Sequence, residues 1–157
     1  MSPRAAVRLE TLGFSQVFDY AAGKMDWAAM GLPLEGKAAA TPRAGDLARR
    51  DVPTCRLEDR LADVQARVQE AGWEMCVVTD ETGVVLGRMR KRALAQNPDA
   101  IVEEIMEEGP TTIRPNTELE GITRRMQARK VGSILVTKLD GRLVGVLFRQ
   151  DAEGQLG

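Results

Sequence analysis

Two rhythms of apolar and polar positions run along residues 53–152, and each occurs twice. In "LADVQARV" Leu61, Val64 and Val68 recur at helical spacing, and in "LEGITRRM" Leu119, Ile122 and Met126 do the same. Each helical stretch is followed by an almost unbroken apolar run, "MCVVT" at 75–79 and "SILVT" at 133–137, which suits a strand buried on both faces. A turn comes next, marked by Gly83 in one case and by Asp140-Gly141 in the other. A second strand, "VVLGRM" or "RLVGVLF", then runs into a short helix. Ahead of each helix stands a short extended piece, "PTC" or "TTI". Thr117 and Glu120 read as a capping box opening the second helix, and Gly72 as the stop of the first. The predicted order is β-α-β-β-α, twice.

Offsetting the chain against itself by 58 positions lays residues 53–94 on 111–152 without a gap. The identical pairs are Thr54/Thr112, Arg56/Arg114, Leu61/Leu119, Arg67/Arg125, Gln69/Gln127, Val78/Val136, Thr79/Thr137, Gly83/Gly141 and Gly87/Gly145. Ordinary composition would give roughly three matches by chance. A duplicated supersecondary unit explains both the identities and the shared pattern, each copy being too small to bury a core alone. The copies differ at the end: "GVLFRQD" closes on Asp151, whereas its counterpart "GRMRKRA" closes on Ala93.

A β-α-β-β-α unit carrying "VGSILVTKLDGRLVGVLFRQD" at 131–151 resembles a CBS domain, and two in tandem resemble the CBS pair, or Bateman module. The resemblance covers about residues 44–153. It implies an α/β (α+β) fold of two CBS-type units packed sheet to sheet with pseudo-twofold symmetry. It also implies clefts that take adenosine compounds such as AMP, ADP, ATP or S-adenosylmethionine, and a tendency to form homodimers. The expected divisions are a leading segment at 1–36, a flexible linker at 37–45, unit 1 at 46–98 and unit 2 at 99–157.

The leading segment has its own pattern. Ser2 is placed as an N-cap with Pro3 at the first helical position and Gly13 as the stop; "QVFDY" is strand-like; "MDWAAMG" reads as a short helix ended by Gly31 with Pro33 beyond. Its Gly23–Trp27 and Gly31–Pro33 elements resemble the C-terminal end of a rhodanese-like domain. A rhodanese works through a cysteine thiolate at a helix N-terminus. The chain begins where that loop would end, and Cys55 and Cys76 lie inside the repeat, so no sulfurtransferase activity is expected. A helix-strand-helix remnant of this size cannot form an independent core. Its apolar residues Leu9, Leu12, Phe14, Val17, Phe18 and Trp27 are expected to pack on the pair or on a second chain.

Charge and rare residues narrow the chemistry. The chain has no histidine, which excludes Ser-His-Asp and Cys-His catalysis and His-ligated metals. Two cysteines in strand-like surroundings read as buried reduced thiols. The net charge of −1 lacks the footprint of a general nucleic-acid binder. No run approaches a membrane span of roughly 18 apolar residues, and the start has no signal-peptide core, so a cytoplasmic protein is expected. The expected role is not enzymatic.

The resemblance implies a site in which a Thr/Ser-x-x-Asp run caps a short helix, the hydroxyl near a phosphate and the carboxylate on both ribose hydroxyls. A carboxylate with two acceptor oxygens matches a vicinal diol, and a helix N-terminus favours phosphate. Here the run is Phe148-Arg149-Gln150-Asp151: Asp151 matches the ribose position, Phe148 departs from the hydroxyl, and Arg149 is a candidate for the missing phosphate contact. The opposite wall is expected from Thr111, Thr112 and Ile113 with Gly132, Ser133 and Ile134, Gly132 letting a ring approach the backbone. Plain strand-edge packing for these residues, and a first-turn acid on the helix dipole for Asp151, are the competing readings. Ala93 leaves unit 1 without a ribose reader; its basic run Arg88, Arg90, Lys91, Arg92 reads as a solvated edge balanced by Glu103-Glu104 or Glu107-Glu108, in preference to a polyphosphate or nucleic-acid patch. The expected function is a regulatory module sensing an adenosine compound mainly through unit 2 and acting on a separate effector protein. The alternative is a ligand-free dimerisation and interaction scaffold.

Overall fold

Both predicted units form, and each builds its core from alternating side chains of a central strand. A computed structural model describes residues 3–18, 20, 23–30, 32–33, 35–36 and 41–157. Unit 1 consists of β1 (Thr54–Cys55), an α-helix at Leu61–Glu70, β2 (Met75–Thr79), β3 (Val85–Arg90) and a short helix at Lys91–Leu94. Three helices precede these two: α1 (Pro3–Thr11), α2 (Gly23–Ala29) and α3 (Ala44–Leu47), so the unit 1 helices are α4 and α5. The chain continues through α6 (Val102–Ile105) and β4 (Glu107–Glu108) into β5 (Thr112–Ile113), α7 (Leu119–Ala128), β6 (Ser133–Thr137), β7 (Leu143–Phe148) and α8 (Arg149–Leu156). In each unit the short first strand pairs parallel with the central strand, which pairs antiparallel with the third.

The period-2 alternation of a strand divides its side chains between two layers. Cys76 and Val78 of β2 join Leu61, Val64 and Val68 of α4, while Ile134 and Val136 of β6 join Leu119, Ile122 and Met126 of α7. The residues between them, Met75, Val77 and Leu135, meet Val52 and Val146 in a third cluster between the two sheets. That is the expected sheet-to-sheet packing, and it explains why the central strands read as nearly unbroken apolar runs. The two turns complete the symmetry: the Leu143 N–H donates to the Gly83 carbonyl at 3.0 Å and the Val85 N–H to the Gly141 carbonyl at 3.1 Å. Gly83 and Gly141 both take positive φ, 85° and 84°, where a side chain would be strained.

Two identical polar pairs of the repeat, Arg56/Arg114 and Thr79/Thr137, serve one device. Arg56 donates to the Thr79 carbonyl, the Thr79 hydroxyl and the Asp80 carbonyl. Arg114 does the same to Thr137 and Lys138. Each clamp ties the end of the first strand to the end of the central strand and satisfies a buried threonine.

Packing between the units is crossed, which the linker expectation misses. Of the expected tether, residues 37–40 lie outside the described residues, but Ala44 is fully buried and starts α3 in the core of unit 2 beside Leu119 and Ala152. Fifty-eight residues later, Val102 of α6 is equally buried in the core of unit 1. The hydrogen bonds match pairwise: Ala44 N–H to Thr117 O and Leu119 N–H to Pro42 O on one side, Val102 N–H to Asp59 O and Leu61 N–H to Ala100 O on the other. These backbone bonds from the crossing segments open α4 and α7. The Thr117–Glu120 capping box does not form; the N-cap is Glu118, with no side-chain cap.

The second glycine of each repeated Gly-x-x-x-Gly makes this crossing possible. A Cβ on Gly145 would lie 2.3 Å from the Arg49 carbonyl oxygen, and one on Gly87 would lie 2.9 Å from that of Glu107. Arg49 and Val146 exchange two backbone hydrogen bonds of 2.9 Å, and β4 pairs with β3 at the equivalent place.

Gly72 closes α4 as expected, with φ 70° and the Trp73 N–H reaching back to Val68 O. At the same place after α7 stands Lys130, which takes φ 53°. In the leading segment α1 ends at the expected Gly13, φ 92°, and the "MDWAAMG" helix appears as α2; Ser2 and Gly31 lie outside the described residues. The expected strand at "QVFDY" is absent among its described residues, 16–18 and 20, which have no strand partner. Instead the Tyr20 hydroxyl donates to Asp26, and its ring meets Trp27 edge-on. Leu12, Phe14 and Phe18 remain 59%, 60% and 81% exposed, so the expected burial of these side chains on the pair does not occur within one chain. Among the described residues no helix is long and apolar enough to cross a membrane.

Candidate ligand cleft beside the second unit

The first turn of α8 fixes the candidate ribose reader. The Arg149 N–H donates to the Gly132 carbonyl at 2.9 Å, joining the start of α8 to the start of β6, and Asp151 follows half a turn later. Its carboxylate is already engaged: Arg49 donates Nε to one oxygen at 2.8 Å and Nη2 to the other at 2.9 Å. The pair is partly open to water, with 48% of the Arg49 side chain and 25% of the Asp151 side chain exposed. That hydrogen bond, reinforced by the carboxylate charge, raises the Arg49 pKa above its ordinary value. The guanidinium also lies 5.0 Å above the Phe148 ring, whose other neighbour is Trp73 at 5.7 Å between ring centroids.

One hollow adjoins this group, and a second, smaller one shares Ser133 with it. The smaller, of about 90 Å³, has an apolar floor of Ile122, Met126, Val131 and Ile134, hydroxyls from Thr111 and Ser133, and guanidinium groups of Arg88, Arg125 and Arg129 around it. The larger, of about 440 Å³, lies between the units; Trp73, Phe148, Arg49, Arg90 and Lys91 bound it together with Asp51 and Glu74. The smaller hollow offers an apolar face for a flat ring; the larger has three cationic side chains and two carboxylates.

The sequence-selected residues therefore divide. Thr111, Ser133 and Ile134 line the small hollow and Phe148 the larger one. Asp151 lines neither hollow; its link to the larger one is its bond to Arg49. Gly132 contributes its carbonyl, and a Cβ there would meet open space. Ile113 faces away, buried in the unit 2 core, while Thr112 is an exposed strand residue. Arg149 turns along its own helix toward Glu153 at 3.7 Å. Residues that sequence reasoning missed are Arg49, Arg125, Arg129 and Trp73. Arg125 carried a signal, since it is one of the repeated identities.

The equivalent place in unit 1 is chemically inverted. Ala93 is buried there, and Glu107, the counterpart of Arg49, binds Arg88 at 3.0 Å and Arg90 at 2.9 Å. Hydrogen bonding from Arg90 and then Arg88 holds the Glu107 carboxyl below the usual carboxylate range. The basic run is thus partly neutralised by one of the acids expected to balance it. Cys55 and Cys76 are both buried and free. A hydrogen bond with Cys55, together with burial, pushes the Cys76 thiol well above its usual range, which leaves it a poor nucleophile.

Residues 102–152 match the family model described as the CBS domain. Among curated proteins, the uncharacterized protein MK0525 of Methanopyrus kandleri is 24% identical over 115 residues, covering 68% of this chain and 59% of that protein. The cytosolic domain of the Mg2+ channel MgtE, solved in complex with ATP, superimposes with a TM-score of 0.67 at 25% identity, over 75% of this chain and 51% of that one. The Arabidopsis thaliana CBS-pair protein CBSX2, solved in complex with AMP, gives 0.64 at 20% identity, over 73% of this chain and 95% of that one. The chain thus spans only part of the curated relative and about half of the MgtE domain. The CBS-domain match in the second half, with the CBS-pair fold of both units, supports a CBS domain pair.

Proposed function

We propose that this chain is a regulatory module whose unit 2 cleft binds an adenosine compound and passes the signal to a separate effector protein. The observation that carries this reading is the placement of Asp151. A carboxylate with two acceptor oxygens stands in the first turn of α8, held by Arg49 at the edge of the larger hollow, and that hollow shares Ser133 with an apolar one lined by Thr111 and three arginines. A flat base fits an apolar floor, a vicinal diol fits a carboxylate, and phosphate fits guanidinium groups. The MgtE domain and CBSX2, which share the fold, are described with ATP and AMP.

A second reading, the ligand-free dimerisation scaffold, draws on a specific observation as well: both Asp151 oxygens are held by Arg49, and Phe148 stands in place of a hydroxyl. The exposed Val7, Leu12, Phe14 and Phe18 favour a homodimer under either reading, with the rhodanese-like leading segment as a contact surface.

A thermal-shift panel of AMP, ADP, ATP, NADH and S-adenosylmethionine separates the two. At about 100 times the dissociation constant, linkage stabilises by about 2.7 kcal/mol, a rise of several degrees for a chain of this size. No shift with any compound would leave the scaffold reading.

A further inference from the structure

The Arg49 side chain occupies the acceptor that a ribose would need, yet it is held only by its tip. Its backbone is fixed by the paired bonds to Val146 and by the close approach to Gly145, whereas nearly half of the side chain is open to solvent. A ligand diol that takes Asp151 must therefore release Arg49 without moving the chain around it. The released guanidinium then stands at the rim of the larger hollow, beside Arg90 and Lys91 and near Asp51 and Glu74, which line the same hollow. Asp51 already accepts the Trp73 Nε1–H at 3.3 Å, whereas a phosphate would restore both of the bonds that Asp151 gave. Phe148 fits this exchange: where a hydroxyl would meet a phosphate directly, its ring supports the guanidinium at 5.0 Å.

Resting on the adenosine reading above, we propose that Arg49 is an exchange residue that sets ligand class: it yields Asp151 to the ribose and moves onto the ligand's phosphate. The site then selects phosphorylated adenosines. Adenosine displaces the arginine without replacing its bidentate acceptor, and S-adenosylmethionine brings a further positive charge into a lining where Arg49, Arg90 and Lys91 outnumber Asp51 and Glu74. The arginine acts as a competitor toward one class and as a contact toward the other.

The test is calorimetric titration of adenosine, S-adenosylmethionine, AMP and ATP into wild type, Arg49→Ala and Arg49→Lys, each checked for an unchanged melting profile apart from a small offset. Wild type is expected to favour AMP over adenosine by about tenfold or more, the scale of a charge-assisted bidentate contact. In Arg49→Ala adenosine should tighten while AMP weakens, so that the preference falls about tenfold; Arg49→Lys should keep the phosphate preference in part. A merely structural arginine would shift all ligands alike. An AMP-to-adenosine preference in Arg49→Ala within about twofold of wild type would overturn the exchange while leaving the adenosine site standing. Silence of every compound with all three proteins would remove the adenosine reading and the exchange together.

Discussion

Adding one methyl group at Gly145 should damage this fold more than the same change anywhere else in the repeat. The Ala Cβ would meet Arg49 O at 2.3 Å, Arg49 C at 2.9 Å and Ala48 Cβ at 3.3 Å. The first two are backbone atoms, so no side chain can turn aside. The crossing segment must move away from β7, which breaks the two Arg49–Val146 hydrogen bonds of 2.9 Å. Two such bonds contribute about 1 kcal/mol each, and overpacking a core costs about 1–3 kcal/mol, so the loss should be about 2–4 kcal/mol. For a chain this long that corresponds to a fall of roughly 5–15 °C in melting temperature, read by circular dichroism. Gly87→Ala should cost less, because its nearest obstacle, the Met106 sulfur at 2.6 Å, belongs to a flexible side chain and the backbone oxygen of Glu107 lies at 2.9 Å. Gly121→Ala, in α7 with nothing within 4 Å, should stabilise by about 0.5–1 kcal/mol. Hydrogen exchange adds a local readout, since the Arg49 and Val146 amides should lose protection only in Gly145→Ala. A variant that melts with wild type and keeps both amides protected would refute the crossed packing.

Two further outcomes follow from single positions. Lys130, at φ 53°, holds the place that Gly72 holds in unit 1; Lys130→Gly should raise stability by about 1 kcal/mol in urea denaturation, and a loss would contradict the left-handed cap. Glu107 has its folded-state pKa below its ordinary value of 4.5, so its pairing with Arg90 and Arg88 stabilises above that pH and is lost as pH falls through the folded value. The melting-temperature gap between wild type and Glu107→Gln should therefore close on acidification below about pH 4.5, and a gap that widened there would refute the pairing.

Much of the fold was legible because its periodicities are strong and repeated. Leu61, Val64 and Val68 and their counterparts are buried as their spacing requires, and the apolar central strands do face two layers. The crossing was not legible, since none of the ten pairs between 43–52 and 101–110 is identical. What those segments conserve is backbone bonding, which leaves little trace in side chains. Gly87 and Gly145 recorded the crossing indirectly, as a need for space. The strand expected at "QVFDY" failed for another reason: a strand-like run needs an edge to pair with, and no strand among the described residues pairs with it.

In the candidate site, Asp151 is an expectation of the resemblance to CBS-type sites, and the repeat adds the contrast with Ala93 in unit 1. Arg49 was hidden because it precedes the detectable repeat and lies 102 positions from Asp151. Ile113 and Arg149 were near the site in sequence, yet the strand pleat turns one into the core and the helix carries the other to Glu153.

The adenosine reading is tested most directly by calorimetric titration of ATP into wild type and Asp151→Ala. A charged carboxylate on a diol contributes about 1.5–3 kcal/mol, so the variant should bind about 10- to 100-fold more weakly. Equal affinities, or no heat from wild type at any concentration, would contradict the assignment of Asp151 as the ribose reader.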